Sequence, residues 1–200
     1  MVWMAFLAAI QSVPSPAYFP PAYERLVEPC AILGHPLPRF DALRRDWYSK
    51  HLQAAGEPSL FERTRGGRSD VLRFLWLRTF HAPIVIRIED MRQPRPRMIA
   101  TELSGQGGYA PGRVTRRIKR MLTVKEAAAL RRQLAIHNPL VLPAGSDNCD
   151  SSGDGSQWII ERAAGPRYKL VDRWRPDRGP VRTAGMAMLR LTGWKFADIY

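Results

Sequence analysis

Three consecutive strand patterns between Val71 and Ser104 constrain the fold of this chain more than any other stretch. Val71–Thr79 is rich in large apolar residues, Ile84–Ile88 follows it, and Met98–Leu103 comes after a basic, proline-spaced turn. Ala82-Pro83 separates the first two patterns, because proline fixes its own φ and cannot donate to a sheet ladder. We therefore predict three antiparallel strands that form the centre of the structure.

Further patterns predict the elements that surround these strands. They are a helix over Asp41–Ala55, a loop over Glu57–Asp70, a basic strand over Val114–Met121, a capping box Thr123-Val124-Lys125-Glu126 that opens a helix through Ala127–Ile136, a hairpin of Gln157–Arg162 with Tyr168–Trp174, and a helix over Pro180–Leu191. Strand and helix signals are clustered along the chain. This clustering favours an α+β fold, with an antiparallel sheet of about five to six strands and two to three packing helices.

The N-terminal region predicts a boundary before the folded domain. Val2–Ile10 is an apolar run that is too short to span a bilayer, which takes about 20 apolar residues, but it matches the central part of a signal peptide. No Lys or Arg precedes the run, so a buried N-terminal helix is the alternative. We predict a signal peptide over residues 1–12, a proline-rich extended leader without regular structure over 13–38, and a single domain over 39–200.

Positive charge is the second strong feature. The net charge is +13, and the block Arg113–Arg132 holds eight basic residues against Glu126 alone. Such a field attracts nucleic acid, anionic lipid or an acidic protein. The block is nearly free of aromatic residues, with only Tyr109 just before it, so single-strand nucleic-acid binding is less favoured than a solvated basic face. The predicted binding face consists of Arg113, Arg116, Arg117, Lys119, Arg120, Arg131 and Arg132.

Two weaker constellations lie elsewhere. Cys30 and Cys149 are the only cysteines, and a disulfide between them would require an oxidising compartment; two unrelated thiols are the alternative. Asp150, Asp154 and Glu161 match the spacing of an EF-hand calcium loop. Prolines before the loop exclude an entering helix, so a Gly/Asp turn that leads into the hairpin explains the spacing better.

Signals for catalysis are few. His81, at the break between two core strands, is a weak candidate for a catalytic base, although a hydrogen-bonded turn residue is the commoner role. Gly105–Gly112 is rich in glycine, but no helix follows it to receive a phosphate, so it predicts no nucleotide site. The four histidines share no metal-ligand spacing with one another or with a cysteine. We therefore predict no cofactor and leave open whether the protein is an enzyme.

Several local phrases resemble a group of uncharacterised bacterial proteins that are often exported. They are Trp47-Tyr48-Ser49-Lys50-His51-Leu52 with Gly56-Glu57-Pro58-Ser59-Leu60, Arg73-Phe74-Leu75-Trp76-Leu77-Arg78-Thr79-Phe80-His81, Asp154-Gly155-Ser156-Gln157-Trp158 and Val171-Asp172-Arg173-Trp174-Arg175-Pro176. The resemblance spans roughly residues 40–200. It implies a single-domain bacterial protein and transfers no functional residue.

These observations predict a periplasmic or secreted protein that works by binding an acidic protein or the anionic envelope surface, in the manner of an inhibitor, immunity or accessory factor. A cytosolic nucleic-acid-binding protein is the second hypothesis. A hydrolase with a site near His81 is the third. No sequence feature predicts a transmembrane span.

Overall fold

The computed structural model of the protein describes residues 16–25, 27–32, 35–38, 42–145 and 154–200, with the side chains of residues 24–38 outside that description. The predicted signal peptide, residues 1–12, lies outside the described residues, as do Cys149, Asp150 and the side chain of Cys30. The signal peptide and the disulfide therefore stay predictions.

The described part of the chain contains eight strands and four α-helices, with two short 3-10 helices. The strands are β1 (Val27–Ile32), β2 (His35–Pro38), β3 (Ser69–Arg78), β4 (Ile84–Glu89), β5 (Arg97–Leu103), β6 (Val114–Met121), β7 (Ser156–Gly165) and β8 (Arg167–Trp174). The α-helices are α1 (Ala42–Ala54), α2 (Leu60–Thr64), α3 (Val124–Ile136) and α4 (Pro180–Leu191), and the 3-10 helices are Pro21–Arg25 and Pro139–Val141. None of the described helices is both long and apolar enough to cross a lipid bilayer.

Six strands form one antiparallel sheet in the order β6-β5-β4-β3-β7-β8. Strands β3 to β6 follow one another as a meander, and β7 returns to pair with β3, so the most apolar strand lies near the centre of the sheet. The predicted α+β fold with an antiparallel sheet is confirmed, and the three patterns from Val71 to Ser104 are β3, β4 and β5.

Both faces of the sheet are covered. On one face, α1 packs its buried Tyr48 and Leu52 against Leu75 and Val85 of the sheet. On the other face, α3 and α4 pack against the side that carries Phe74 and the neighbouring even-numbered residues of β3. β3 is therefore buried on both sides, which explains its continuous run of large apolar residues.

The local signals for α3 and α4 are confirmed. Thr123 caps α3: its hydroxyl accepts from the Glu126 N–H at 3.2 Å, and the Glu126 carboxylate accepts from the Thr123 N–H at 2.8 Å. Helix α4 spans Pro180–Leu191, as the sequence predicts.

Two expectations for irregular segments are wrong. The predicted loop over Glu57–Asp70 contains α2, whose first turn is capped by the Ser59 hydroxyl accepting from the Glu62 N–H at 3.0 Å. The helix has five residues, which is too short to show a hydrophobic period. The proline-rich leader contains the antiparallel pair β1 and β2, because proline is tolerated in a sheet at edges and strand ends.

Candidate binding surface

Strand β6 forms one edge of the six-stranded sheet. Among the described strands it pairs only with β5. The Leu122 N–H donates to the Pro96 carbonyl at 2.8 Å, which continues the ladder beyond the end of β6. Backbone groups alternate in direction along an antiparallel strand, so even-numbered residues of β6 face β5. The residues whose backbone groups face away from the sheet are Arg117, Lys119 and Met121; Thr115 lies at a bulge, where the alternation is interrupted.

The seven basic residues predicted as a binding face lie around this edge, on both sides of the sheet. Alternation along β6 separates them, because successive side chains of a strand point to opposite faces. Arg117 and Lys119 lie on the face that α1 covers, Arg116 and Arg120 on the opposite face, Arg113 just before β6, and Arg131 and Arg132 on α3.

Arg116 and Arg117 are held in place by neutral groups of the protein. The guanidinium of Arg116 lies over the Trp194 ring, 4.4 Å from its centroid. Arg117 donates to the Thr101 hydroxyl at 3.1 Å and to the Ala55 carbonyl at 2.5 Å. These partners are neutral, so the two cations are fixed without being neutralised.

The charge of Arg120 is balanced by a carboxylate, whereas the charge of Arg131 is not. Arg120 donates through two nitrogens to the Glu126 carboxylate, at 2.9 and 2.7 Å, and this carboxylate balances its charge. Hydrogen bonding from Arg120 is the main cause that lowers the pKa of Glu126 to about 2. Arg131 donates to the Met91 carbonyl at 2.8 Å and to the Gln93 carbonyl, so its charge stays unbalanced.

Three of the seven side chains are exposed and make no hydrogen bond or ion pair with the residues that the structure describes. They are Arg113, Lys119 and Arg132. Long cationic side chains in this state can turn toward an incoming carboxylate without breaking an internal contact.

Apolar side chains are exposed at both ends of β6. Val114 begins the strand, five positions after Tyr109, and Met121 ends it, three positions before Val124; these four side chains are between 38% and 57% exposed. With Phe80, they make up five of the eight large hydrophobic residues that are exposed in the described part of the chain. Clustered exposed apolar groups mark interaction surfaces more often than single scattered ones do, and exposed apolar residues lie at or near each end of β6.

Phe80 and Tyr109 form a stacked pair near the start of β6, with ring centroids 6.2 Å apart and planes inclined by 25°. Phe80 lies in the turn between β3 and β4, and Tyr109 lies in the loop between β5 and β6. The sequence indicates only Tyr109 beside the basic block, because the chain places the two rings 29 positions apart. The structure adds a second exposed ring.

The glycine-rich loop that carries Tyr109 is tied to the body of the protein. The N–H groups of Gly107 and Gly108 donate to the carbonyls of His81 and Thr79, at 3.0 and 3.1 Å, and the Trp47 indole donates to the Gly107 carbonyl at 2.6 Å. A Cβ on Gly107 would lie 2.5 Å from the backbone nitrogen of Arg78, so only glycine fits there. The predicted turn-forming loop thus holds Tyr109 over Phe80.

His51 of α1 lies in the layer that supports this loop and is fully buried. Its Nδ1 lies 2.8 Å from the Trp47 carbonyl oxygen. Burial lowers the pKa of His51, and the carbonyls of Trp47 and Gln106 oppose that effect without cancelling it. The imidazole is therefore neutral in the folded protein at pH 7.

This burial predicts a loss of stability in mild acid. The unfolded chain binds a proton at His51 near pH 6.5, and the folded chain binds it only at lower pH, so the free energy of unfolding falls as pH drops below about 6.5. We expect His51→Gln to make that pH dependence shallower. The variant lacks the imidazole, which takes up as much as one proton on unfolding. Urea unfolding of both proteins between about pH 5 and 7.5 measures it. Identical slopes would contradict the prediction.

His81, the weak catalytic candidate, contacts the C-terminal segment. Its Nδ1 lies 2.7 Å from the Tyr200 hydroxyl, and its Nε2 lies 3.4 Å from a carboxylate oxygen of Asp198. The nearby Ser156 hydroxyl donates to the Tyr200 carbonyl rather than to the imidazole. These contacts favour a structural role for His81 in docking the segment that follows α4.

The residues with calcium-like spacing are separated by the fold. Glu161 is fully buried in β7, where Arg73 donates to both of its carboxylate oxygens at 2.7 Å. Asp154 is exposed just before β7, and Asp150 lies outside the described residues. The Glu161 carboxylate is therefore committed to an internal ion pair.

A polar cleft of about 380 Å³ lies at the N-terminal end of β3. Its lining includes Asp70 and Glu89, but both carboxylates are already paired with arginines: Asp70 with Arg162, and Glu89 with Arg87 and Arg97. Carboxylates that are fixed in this way hold the fold together and are poorly placed to exchange protons with a substrate.

No protein-family model, curated protein or solved structure matches this chain at a significant level. The resemblance to exported bacterial proteins therefore stays a prediction.

Proposed function

We propose that this protein acts by binding, and that its partner is an acidic protein recognised at the β6 surface, which we define as residues 113–121 with Phe80, Tyr109 and Val124. One observation carries the proposal: an edge strand with four basic residues has exposed apolar side chains at both of its ends. Arginine, tyrosine, phenylalanine and methionine are the residue types enriched in protein–protein interfaces.

The positions of the cations also support a protein partner. Arg116 and Arg117 are fixed and charged, and Arg113 and Lys119 extend beside them. Charges beside apolar contacts steer an acidic partner and reject basic ones, and they affect the rate of association more than the final affinity. An anionic membrane surface would be attracted by the same field, so it is an alternative outcome of the experiment.

A single-stranded nucleic acid is the second candidate, and the stacked Phe80–Tyr109 pair favours it. Exposed aromatic rings in the loops before a basic strand offer faces on which unpaired bases can stack. Against this candidate, Val114, Met121 and Val124 offer apolar contacts that a phosphate backbone does not use.

Two triple variants with equal charge test the proposal. The first replaces Arg113, Arg116 and Lys119 by glutamine, and the control replaces Arg167, Arg175 and Arg178, which are exposed near β8 at the opposite edge of the sheet. Each variant removes three of the thirteen net positive charges. We expect the first to lower the affinity for polyglutamate at least about tenfold, and the control to lower it less than about threefold.

The same proteins are then titrated with single-stranded DNA and with anionic vesicles at ~150 mM salt, where long-range attraction is screened. Tighter binding to DNA that Phe80→Ala and Tyr109→Ala abolish would replace the proposed partner by the second candidate. Equal losses in the two triple variants would show that net charge alone attracts polyglutamate, and would remove the β6 surface from the proposal.

We also propose that the protein works outside the cytoplasm, in the periplasm or after secretion. The apolar run Val2–Ile10 and the pair of cysteines support this localisation. Intact mass of the purified protein, with and without reductant, is the test. We expect the loss of about the first twelve residues and of two thiol protons. Retention of Met1 together with two free thiols inside the cell would contradict it.

A further inference from the structure

The outer edge of β6 carries a row of backbone donors and acceptors. The N–H and C=O groups of Arg117, Lys119 and Met121 point away from β5, and within the described ranges no backbone group pairs with them; the Met121 carbonyl accepts from the Arg120 guanidinium at 3.3 Å. The strand is eight residues long, contains no proline and is regular along its length except at the bulge near Leu103. Such an edge is a template for one more strand.

The charges on β6 select which strand it can accept. Proteins often place Lys or Arg on an edge strand to stop a second copy from pairing with it, and β6 carries four such residues. Two copies of β6 side by side would oppose cation to cation, which is unfavourable for directly opposed pairs. Pairing with an acidic segment is favourable instead, because its carboxylates would lie beside an Arg or Lys of β6.

We infer that β6 binds an extended acidic segment of the partner as a seventh strand of the sheet, with carboxylates beside Arg117 and Lys119. This inference rests on the proposed function and specifies how the partner is held. The backbone hydrogen bonds supply the pairing, the cations choose an acidic sequence, and the apolar groups near Tyr109 and Met121 contact the two ends of the segment.

The probe is a terminally blocked octapeptide of alternating valine and glutamate, compared with two N-methylated forms of the same sequence. One form carries methyl groups on the odd residues and the other on the even residues, so each loses the hydrogen-bond donors along one side of the strand. Composition and charge are identical in the two forms. We expect one methylated form to bind at least about tenfold more weakly than the parent, and the other to bind within about threefold of it, because only one side faces β6.

Amide hydrogen exchange of the protein supplies the second readout. We expect the N–H groups of Arg117, Lys119 and Met121 to exchange rapidly in the free protein and to become protected when the parent peptide binds. Those of Ile118 and Arg120 are already paired with β5 and should change little. Met121→Pro removes one outward N–H without a change of charge, and we expect it to weaken binding more than Met121→Ala does.

The outcomes separate the two proposals. If the peptide binds but both methylated forms weaken it equally and no outward amide is protected, the seventh strand is wrong and charge-driven binding at the β6 surface stands. If the outward amides are protected before any peptide is added, the edge is already occupied by the chain itself and the inference is wrong. If neither this peptide nor polyglutamate binds, the proposed function falls with it.

Discussion

Replacing Arg73 by methionine is expected to lower the free energy of unfolding by about 3–5 kcal/mol, the largest effect of any substitution in this protein that we predict. Arg73 is fully buried in the central strand β3. It makes a two-nitrogen bond to the Glu161 carboxylate and donates to the Pro58 carbonyl at 2.7 Å. Methionine removes the counter-charge of the fully buried Glu161 carboxylate and leaves it the hydrogen bond from the Tyr168 hydroxyl at 2.7 Å.

The surroundings of Arg73 explain the size of this effect. Burial alone would lower its pKa, but Glu161 and Glu57 outweigh burial and hold the pKa above its ordinary value, so the guanidinium stays charged. Glu57 lies 3.6 Å from Arg73 and also forms an ion pair with Arg87 at 2.8 Å. The cluster is thus a set of opposite charges in which each member needs the others.

Arg97→Met is the matched control, since it also removes a guanidinium from a buried glutamate. Arg97 is 57% exposed, and its partner Glu89 keeps ion pairs with Arg63 and Arg87, so we expect a loss of less than about 1 kcal/mol. Urea unfolding at pH 7 measures both variants. Adding Glu161→Leu to Arg73→Met should recover part of the loss. Equal losses for Arg73→Met and Arg97→Met would contradict the account of the cluster.

Gly185→Ala is expected to destabilise the protein by about 3 kcal/mol, although alanine is the better helix former by about 1 kcal/mol. Gly185 lies inside α4, and a Cβ there would lie 2.5 Å from two ring carbons of Trp158 and 2.9 Å from Phe74. The Trp158 ring cannot move aside easily, because its indole N–H donates to the Ser156 hydroxyl at 2.8 Å and Arg182 lies over its face. The added methyl therefore forces α4 away from the sheet.

Gly66→Ala is the control for this substitution. A Cβ on Gly66 would lie 3.7 Å from the Arg63 carbonyl oxygen, which is an ordinary contact, and its φ is not in the left-handed region. We expect a change between about zero and a gain of 1 kcal/mol, because alanine restricts the unfolded chain. Thermal unfolding of the two variants compares them. If the Gly185→Ala protein were as stable as the parent, α4 could not pack as closely on Trp158 as described, and the prediction would be wrong.

Local patterns were enough to predict most of the framework. The large apolar residues of β3, the break at Ala82-Pro83 and the Thr123–Glu126 capping box each act over a few residues, and each is found where the sequence indicates it. Helix α2 was not predictable in this way, because it depends on the Ser59 cap and on burial of Leu60 rather than on periodicity.

Features that depend on contacts between residues distant in the chain could not be predicted from the sequence. Arg73 interrupts an apolar run, and Arg87 alternates with apolar residues, which is typical of a solvent-facing side; yet both form ion pairs with carboxylates inside the protein. The Phe80–Tyr109 stack depends on a loop that docks through Gly107, and no local pattern connects the two rings. The position of β6 at the sheet edge follows from β7 pairing with β3, which also lies beyond local reach.

Chemical-shift mapping of the backbone amides during titration with the valine–glutamate octapeptide tests the β6 surface most directly. We expect the largest shifts at residues 113–121 and at Phe80 and Tyr109, and small ones along β8, the opposite edge of the sheet. Shifts centred on β8, or spread evenly over all exposed arginines, would contradict the assignment of binding to β6.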